Sequence, residues 1–214
     1  MVSHSQFAAF AALVFVMVVV PGPSVLFTVS RALTVGRRDA LITVAGNAAG
    51  VYVQVVAVAF GMGAIVRTSA AVFTVIKLAG AAYLVYLGVQ AIRHRRRLSE
   101  ALAGAVRTTP GRTLAVLRDG FVVGFANPKS IVFLAAVLPQ FVDEGAGGVV
   151  AQILVLGIAL PVIAVVSDSA WALAAGTARS WFARSPRRLQ LVGGTGGLVM
   201  IGLGAGLALT GRKD

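Results

Sequence analysis

Six apolar runs, each long enough to cross a lipid bilayer, divide this sequence of 214 residues. A transmembrane helix needs about 20 predominantly apolar residues, and runs of about 17 to 25 are typical. Only 12% of the residues are charged, whereas soluble domains carry about 25%. The sequence therefore predicts an all-α membrane protein with six transmembrane helices. The predicted helices cover Phe7–Val29, Ala40–Val66, Ala71–Ile92, Phe121–Val142, Val149–Ala175 and Leu191–Leu209.

Prolines interrupt the first and the fourth of these runs. The motif Pro21-Gly22-Pro23 breaks the first run, and Asn127-Pro128-Lys129 breaks the fourth. A proline inside a helix costs roughly 3 kcal/mol and leaves a carbonyl without its usual donor. In hydrocarbon, such carbonyls must face protein, water or a ligand. A helix that restarts at Ser24 or Ser130 also presents unpaired amides that suit an anionic group. We therefore expect binding sites at both breaks, with kinks used only for packing as the alternative.

The two broken runs are copies of one pattern. Residues 15–27, FVMVVVPGPSVLF, align without a gap with residues 121–133, FVVGFANPKSIVF. The first three runs then repeat as the last three, and an odd number of spans inverts the second copy. Broken helices at corresponding positions of two inverted repeats mark the midplane site of a transporter. We expect one transporter domain over 1–214, with repeats at 1–92 and 119–214, a basic cytoplasmic loop at 93–118, and rocking of one half against the other.

The distribution of basic residues predicts the orientation in the membrane. Fourteen of the 19 Lys and Arg residues lie in the first, third and fifth connections, and three lie elsewhere outside the runs. Connections rich in Lys and Arg face the cytoplasm. Both termini are therefore expected outside. Because the positive charges lie between apolar runs, the net charge of +12 does not indicate a nucleic-acid-binding module.

Two charged side chains lie well inside the apolar runs. Lys129 lies about eight residues into the fourth run, and Asp168 lies within the fifth. Each costs roughly 2.5–3.5 kcal/mol on insertion scales and needs a partner or a watery cavity. We expect Lys129 to bind a carboxylate, and Asp168 to receive an ammonium group or to carry a proton as a coupling or gating residue. The alternative is an internal Lys129–Asp168 ion pair.

Small residues spaced four apart predict close helix contacts. The second run has such a pair around Asn47, whose amide is expected to face the same cavity as the breaks. The sixth run contains two further pairs. The predicted packing glycines are Gly46, Gly50, Gly193, Gly197, Gly202 and Gly206.

Several chemistries are excluded by what the runs lack. The chain has no cysteine, and both histidines, His4 and His94, lie outside the runs. No metal site, cofactor or enzymatic activity is therefore predicted, and the chain has no nucleotide-binding loop of its own. A membrane enzyme acting on lipid headgroups would need clustered acids or histidines, and an exporter of inorganic cations would need several carboxylates within the membrane. Both are kept as alternatives to a transporter of small zwitterions.

Two long motifs resemble those of a known family. PGPSVLFTVSRALTVGRRDALITVAGNAAG, over 21–50, and GFVVGFANPKSIVFLAAVLPQFV, over 120–142, resemble the two signatures of the LysE/RhtB amino-acid exporters. SDSAWALAAGTAR, over 167–179, is similar to the fifth span of that family. Members often carry an acid after the second glycine of the pair near Asn47, whereas this chain has Val51-Tyr52. A cation-binding role for that helix is therefore in doubt.

The resemblance implies a bacterial inner-membrane exporter of amino acids or their derivatives, driven by proton exchange. The expected partners are the lipid bilayer, a small zwitterionic amino acid and the proton. We expect the substrate carboxylate to bind Lys129 and both helix starts, and the amino group to bind freed carbonyls, Asn127 and Asp168. The predicted substrate-binding residues are Pro21, Gly22, Pro23, Ser24, Asn47, Asn127, Pro128, Lys129 and Ser130.

Overall fold

The computed structural model describes residues 2–65, 70–103, 111–143, 145–177 and 186–209. Within these ranges the chain is all-helical, as the sequence predicts, and contains no strand. A short 3-10 helix, Leu138–Phe141, follows the sixth α-helix. The α-helices are α1 (His4–Val19), α2 (Pro23–Thr34), α3 (Arg37–Ile65), α4 (Ala70–Ala103), α5 (Thr113–Phe125), α6 (Pro128–Ala136), α7 (Val149–Gly157), α8 (Ala159–Thr177) and α9 (Pro186–Leu209).

In the described ranges, two helical stretches are long and apolar enough to cross a membrane, and up to four are if each bent pair counts as one span. Two stretches, Arg37–Gly61 and Val149–Ala175, qualify directly. Two further pairs qualify if each bent pair counts as one span: α1 with α2, bent by 50°, and α5 with α6 and the 3-10 helix, bent by 45°. The third and sixth predicted runs fall within α4 and α9. Large apolar side chains on the outer surface, such as Phe60 and Val166, suit contact with lipid.

The fourth span begins earlier than the sequence predicts. α5 starts at Thr113 rather than at Phe121, so the charged pair Arg118-Asp119 lies inside the helix. These charges end the apolar run but not the helix, because Asp119 accepts a hydrogen bond from Arg31 of α2 at 3.1 Å. Lys129 is therefore further from the start of its span than the apolar run alone suggests.

The largest buried side chains gather where α1, α6 and α7 meet. Phe10 of α1 packs against Phe133 of α6 and Phe141 of the 3-10 helix, with ring centroids 5.9 Å and 5.3 Å apart. Ile153 and Leu156 of α7 belong to the same buried cluster. The cluster also contains Val20, beside the first proline break, and it joins α1 to α6 and the 3-10 helix.

Helices α3 and α5 approach each other through glycines on both sides, a contact that we call the glycine seam (Gly46 and Gly50 of α3, Gly120 and Gly124 of α5). A Cβ atom added at any of these four positions would lie closer than 3.0 Å to the backbone of the opposite helix. Small residues permit such backbone contact between membrane helices. The sequence analysis identifies the α3 pair but misses the α5 pair.

The predicted glycine pairs of α9 are placed differently. Gly202 and Gly206 are exposed, and a Cβ atom added at either would meet no described atom within 4 Å. The close approach is made instead by Gly204, where a Cβ would lie 2.6 Å from the carbonyl oxygen of Ala81 in α4. Gly193 and Gly197 lie within α9, but their surroundings fall outside the described part of the chain.

Candidate substrate-binding site

The two proline breaks lie against each other inside the protein. The Lys129 Nζ atom, at the second break, donates a hydrogen bond of 2.6 Å to the carbonyl oxygen of Val20 at the first. The Asn127 Nδ2 atom donates to the Ser24 Oγ atom at 2.5 Å. A Cβ atom on Gly22 would lie 3.0 Å from the Cδ atom of Lys129, so the lysine side chain runs directly over this glycine. The structure thus brings polar residues of both breaks into one buried cluster, whereas Pro21 and Pro128 are half-buried and Pro23 is exposed.

Both broken helices restart at a proline rather than at the serines that the sequence analysis names. α2 begins at Pro23 with Gly22 as its N-cap, and α6 begins at Pro128 with Asn127 as its N-cap. Proline suits the first helical position because its fixed φ matches the helix and no amide is lost there. Ser24 and Ser130 therefore lie within the first turn of α2 and α6, respectively.

The first turns of the two helices are capped differently. In α6, the Asn127 Oδ1 atom accepts a hydrogen bond of 3.1 Å from the backbone amide of Lys129. The Ser130 hydroxyl donates to the carbonyl of Asn127 at 3.0 Å. In α2, the N-cap is a glycine, and no side chain caps the helix. The repeated pattern in the sequence therefore produces two unlike helix starts.

Gln54 of α3, which the sequence analysis misses, provides the donor for the second break. Its Nε2 atom donates to the carbonyls of Phe125 at 2.6 Å and Gly124 at 3.0 Å. Pro128 and the capped amide of Lys129 cannot reach those carbonyls as helical donors. The spacing in the sequence could have indicated this residue, because Gln54 follows Asn47 by seven residues, which places both amides on one face of a helix.

Lys129 and Asp168 do not form the direct ion pair that the sequence left open as an alternative. Their charged atoms lie farther apart than 4.0 Å, although the two groups interact electrostatically. Asp168 instead accepts a hydrogen bond of 3.1 Å from the Asn47 Nδ2 atom. Both charged side chains are almost fully buried, with 4% of Lys129 and 2% of Asp168 exposed. The site therefore contains a separated cation and anion, each close to a polar group of another helix.

Three buried polar atoms near the breaks lack a hydrogen-bond partner in the described chain. They are the Thr28 Oγ1, Asn47 Oδ1 and Gln54 Oε1 atoms. The NH₂ groups of Asn47 and Gln54 are already bonded to the protein, which fixes the orientation of both amides and leaves their oxygens without a donor. A buried acceptor without a donor costs about 1–3 kcal/mol. Such atoms suit a ligand that brings its own N–H or O–H groups.

Known proteins that are similar in sequence identify the family of this chain. The profile of the family described as LysE type translocator matches residues 15–211. An uncharacterized membrane protein of Vibrio cholerae is 38% identical over 192 residues, which cover 88% of this chain and 89% of that protein. No solved structure matches the chain.

Two further relatives are named for the compounds that they export. A homoserine/homoserine lactone efflux protein of Salmonella typhimurium is 32% identical, with 88% of each chain covered. A leucine efflux protein of an Enterobacter species is 28% identical, with 91% of this chain and 90% of that protein covered. These proteins are transporters, which confirms the prediction that the chain is not an enzyme. The family resemblance of the two signatures is likewise confirmed: the chain belongs to the family of LysE type translocators.

Proposed function

We propose that this protein exports amino acids or amino-acid derivatives across the bacterial cytoplasmic membrane in exchange for protons. One observation carries the proposal: two proline-broken helices meet in a buried cluster that contains a lysine, an aspartate and unpaired polar atoms. Buried charges of this kind are costly in a membrane and are typical of a substrate or ion pathway. The named efflux relatives support amino acids as the substrate class.

The proposed architecture is six spans in two inverted repeats, with both termini outside and the 93–118 connection in the cytoplasm. The helix contacts support this arrangement. α3 packs against α8, and α4 packs against α9. These pairs are the second span with the fifth and the third with the sixth, which are equivalent positions in the two repeats. Contact between equivalent spans is expected when two copies enclose a common site.

The separated charges give the site a polarity that suits a zwitterion. Lys129 has three N–H donors, and the carbonyl of Val20 accepts one of its hydrogens in the described structure. The remaining donors are assigned to the substrate carboxylate. Asp168, which the Asn47 amide holds in place, is assigned to the substrate ammonium group. One relative is named for homoserine and homoserine lactone. Both compounds have the ammonium group, but only homoserine has a free carboxylate.

Asp168 is also assigned the proton. It is the acidic residue farthest from both ends of its span, and it is 2% exposed. A carboxylate that holds the substrate ammonium in one state and a proton in the other couples the two, because each must leave before the other binds. The described residues contain no group of three or more His, Cys, Asp or Glu that could hold a metal ion. The geometry therefore favours an amino acid over an inorganic cation as cargo.

The test uses the purified full chain in proteoliposomes loaded with radiolabelled leucine, threonine or homoserine. A proton gradient directed inward is imposed, and release of the amino acid is followed with the internal pH. The wild type is expected to release at least one of them faster with the gradient than without it. Lys129→Met and Asp168→Asn are expected to slow this release at least about tenfold, because each variant loses a hydrogen bond that involves a charged group.

Arg118→Gln is the matched control, because its side chain is 75% exposed and lies outside the buried cluster. It is expected to retain wild-type release. Release that is unaffected by Lys129→Met removes this lysine from the site. A wild type that moves none of the amino acids, or moves them without any response to the gradient, contradicts the proposed exchange.

A further inference from the structure

We infer that the two helix starts have different tasks: the first turn of α2 receives the substrate carboxylate, whereas the first turn of α6, which Asn127 caps, serves as a fixed support. This inference rests on the proposed function and assigns the polarity of its site. It departs from the sequence analysis, in which both starts share the carboxylate.

The backbone amides distinguish the two helices. In α2, the amides of Ser24 and Val25 donate to no group in the described chain, and the first bonded amide is that of Leu26, which donates to Gly22 at 3.0 Å. In α6, the Asn127 side chain accepts a hydrogen bond from the amide of Lys129, so only the amide of Ser130 is left without an acceptor in the described chain. Two adjacent free amides match the two oxygens of a carboxylate, and the positive end of the helix dipole adds to the attraction.

Lys129 places a positive charge at the same helix start. Its aliphatic chain crosses Gly22, the N-cap of α2, and a Cβ there would lie 3.5 Å from the ammonium nitrogen. The ammonium group is bonded to the carbonyl of Val20, and no carboxylate of the described residues lies within 4.0 Å of it. A buried ammonium group with donors left over calls for an anion, and the uncapped turn of α2 is the nearest place that can share one.

Thr28 provides a second, independent observation. Thr34 and Thr43 each donate a hydroxyl hydrogen to the carbonyl four residues earlier, at 2.9 Å and 2.7 Å, as helical threonines commonly do. Thr28 is completely buried, yet its hydroxyl has no hydrogen-bond partner in the part of the chain that the structure describes. It lies one turn after Ser24, and side chains on a helix lean towards the N-terminus. Thr28 therefore adds a buried hydroxyl without a partner among the described residues, on the helix face that Ser24 begins.

The ligand class that fits is a carboxylate with a nearby ammonium group, that is, a free α-amino acid. The Ser24 and Val25 amides and Lys129 would hold the carboxylate. The ammonium group would extend towards Asn47 and Asp168. An ester, amide or lactone would bind through the ammonium group alone and would depend less on the first turn of α2.

The test gives α2 the cap that α6 already has. Gly22 has φ of −102° and ψ of −171°, an extended conformation that an N-cap asparagine adopts readily. In Gly22→Asn, the new side chain is expected to accept hydrogen bonds from the free amides and so to displace the carboxylate. Gly22→Ala is the matched control, because it adds the same Cβ beside Lys129 without a capping group. Gly22→Ser is a second capping variant.

Each variant is reconstituted, and transport of L-homoserine and L-homoserine lactone is measured together with the melting temperature. Gly22→Asn and Gly22→Ser are expected to carry homoserine at least about tenfold more slowly than Gly22→Ala. Lactone transport is expected to change far less between them. The capping variants are expected to melt at or above the temperature of Gly22→Ala, because a cap stabilises the helix. Loss of transport without loss of stability would identify the amides as a binding group.

Equal homoserine transport by Gly22→Asn and Gly22→Ala would overturn the inference and leave the proposed function intact. An equal loss for homoserine and the lactone would also overturn it, because the effect would then not depend on the carboxylate. A wild type that carries homoserine but not the lactone supports the carboxylate requirement, and the variants are then compared on homoserine alone. A wild type that transports no amino acid contradicts the proposed function itself.

Discussion

Replacing Gly50 by alanine tests whether the glycine seam sets the distance between α3 and α5. The added Cβ would come closest to the backbone carbonyl oxygen of Phe121 and would lie 2.5 Å from the backbone nitrogen of Phe125, whereas ordinary van der Waals contact begins at 3.4 Å. The two helices must therefore separate by at least about 0.9 Å at this point. The opposing groups are backbone atoms, which cannot turn aside as a flexible side chain would.

The expected cost follows from this displacement. Overpacking a tight contact costs about 1–3 kcal/mol, and each kcal/mol lowers the melting temperature by about 2–4 °C in a chain of this size. A drop of about 2–12 °C is therefore expected. The same shift would lengthen the hydrogen bond between Gln54 and the Gly124 carbonyl from 3.0 Å to about 3.9 Å, beyond hydrogen-bonding distance. Transport is expected to fall about tenfold to a hundredfold, as for other misplacements of about 1 Å.

Gly61→Ala is the control, because Gly61 lies on the same helix and a Cβ there would meet nothing within 4 Å. Alanine is favoured over glycine in a helix by about 1 kcal/mol, so this variant is expected to melt at or slightly above the wild-type temperature. Melting is followed in detergent by tryptophan fluorescence, and transport is measured in proteoliposomes. Identical melting temperatures for Gly50→Ala and Gly61→Ala would refute the reasoning.

Two further predictions concern individual polar contacts. Gln54→Glu replaces the NH₂ donor by an oxygen that faces the carbonyls of Gly124 and Phe125. A charged glutamate here is expected to destabilise the protein by about 3–5 kcal/mol, and Gln54→Met is expected to cost less. If Gln54→Met melts below Gln54→Glu, the amide orientation is contradicted. Arg31→Gln removes the 3.1 Å ion pair with Asp119, whose side chain is 40% exposed. The free energy of unfolding is therefore expected to fall by less than about 1 kcal/mol, and by less again in high salt. A larger loss that does not depend on salt would contradict this expectation.

The positions of the two breaks were predictable from the sequence because proline acts locally. Pro23 and Pro128 lack an amide and fix φ, so the helix must be interrupted wherever they occur. The helix starts were misplaced by one or two residues, because proline is tolerated at the first position of the new helix. The start of α5 was misplaced because hydropathy registers the charges of Arg118 and Asp119, while the helix tolerates them.

The partners of the buried polar groups were not predictable in the same way. Asn47 and Asp168 are 121 residues apart in sequence, and their hydrogen bond depends on how α3 packs against α8. Gln54 donates to a break that lies about 70 residues further along the chain. Hydropathy and motif spacing describe single helices, whereas these contacts are set by the packing of helices distant in sequence.

The glycine seam also limits which parts of the molecule can move. In the proposed architecture α3 belongs to the first repeat and α5 to the second, yet their backbones touch at four glycines. Interfaces packed this closely shift between discrete arrangements rather than deform gradually. Rocking of one repeat against the other about an axis away from this contact would have to open it in every cycle. A hinge at the short segment 20–22 would leave it intact, since α2 could swing as a small lever while α3 and α5 remain one rigid frame.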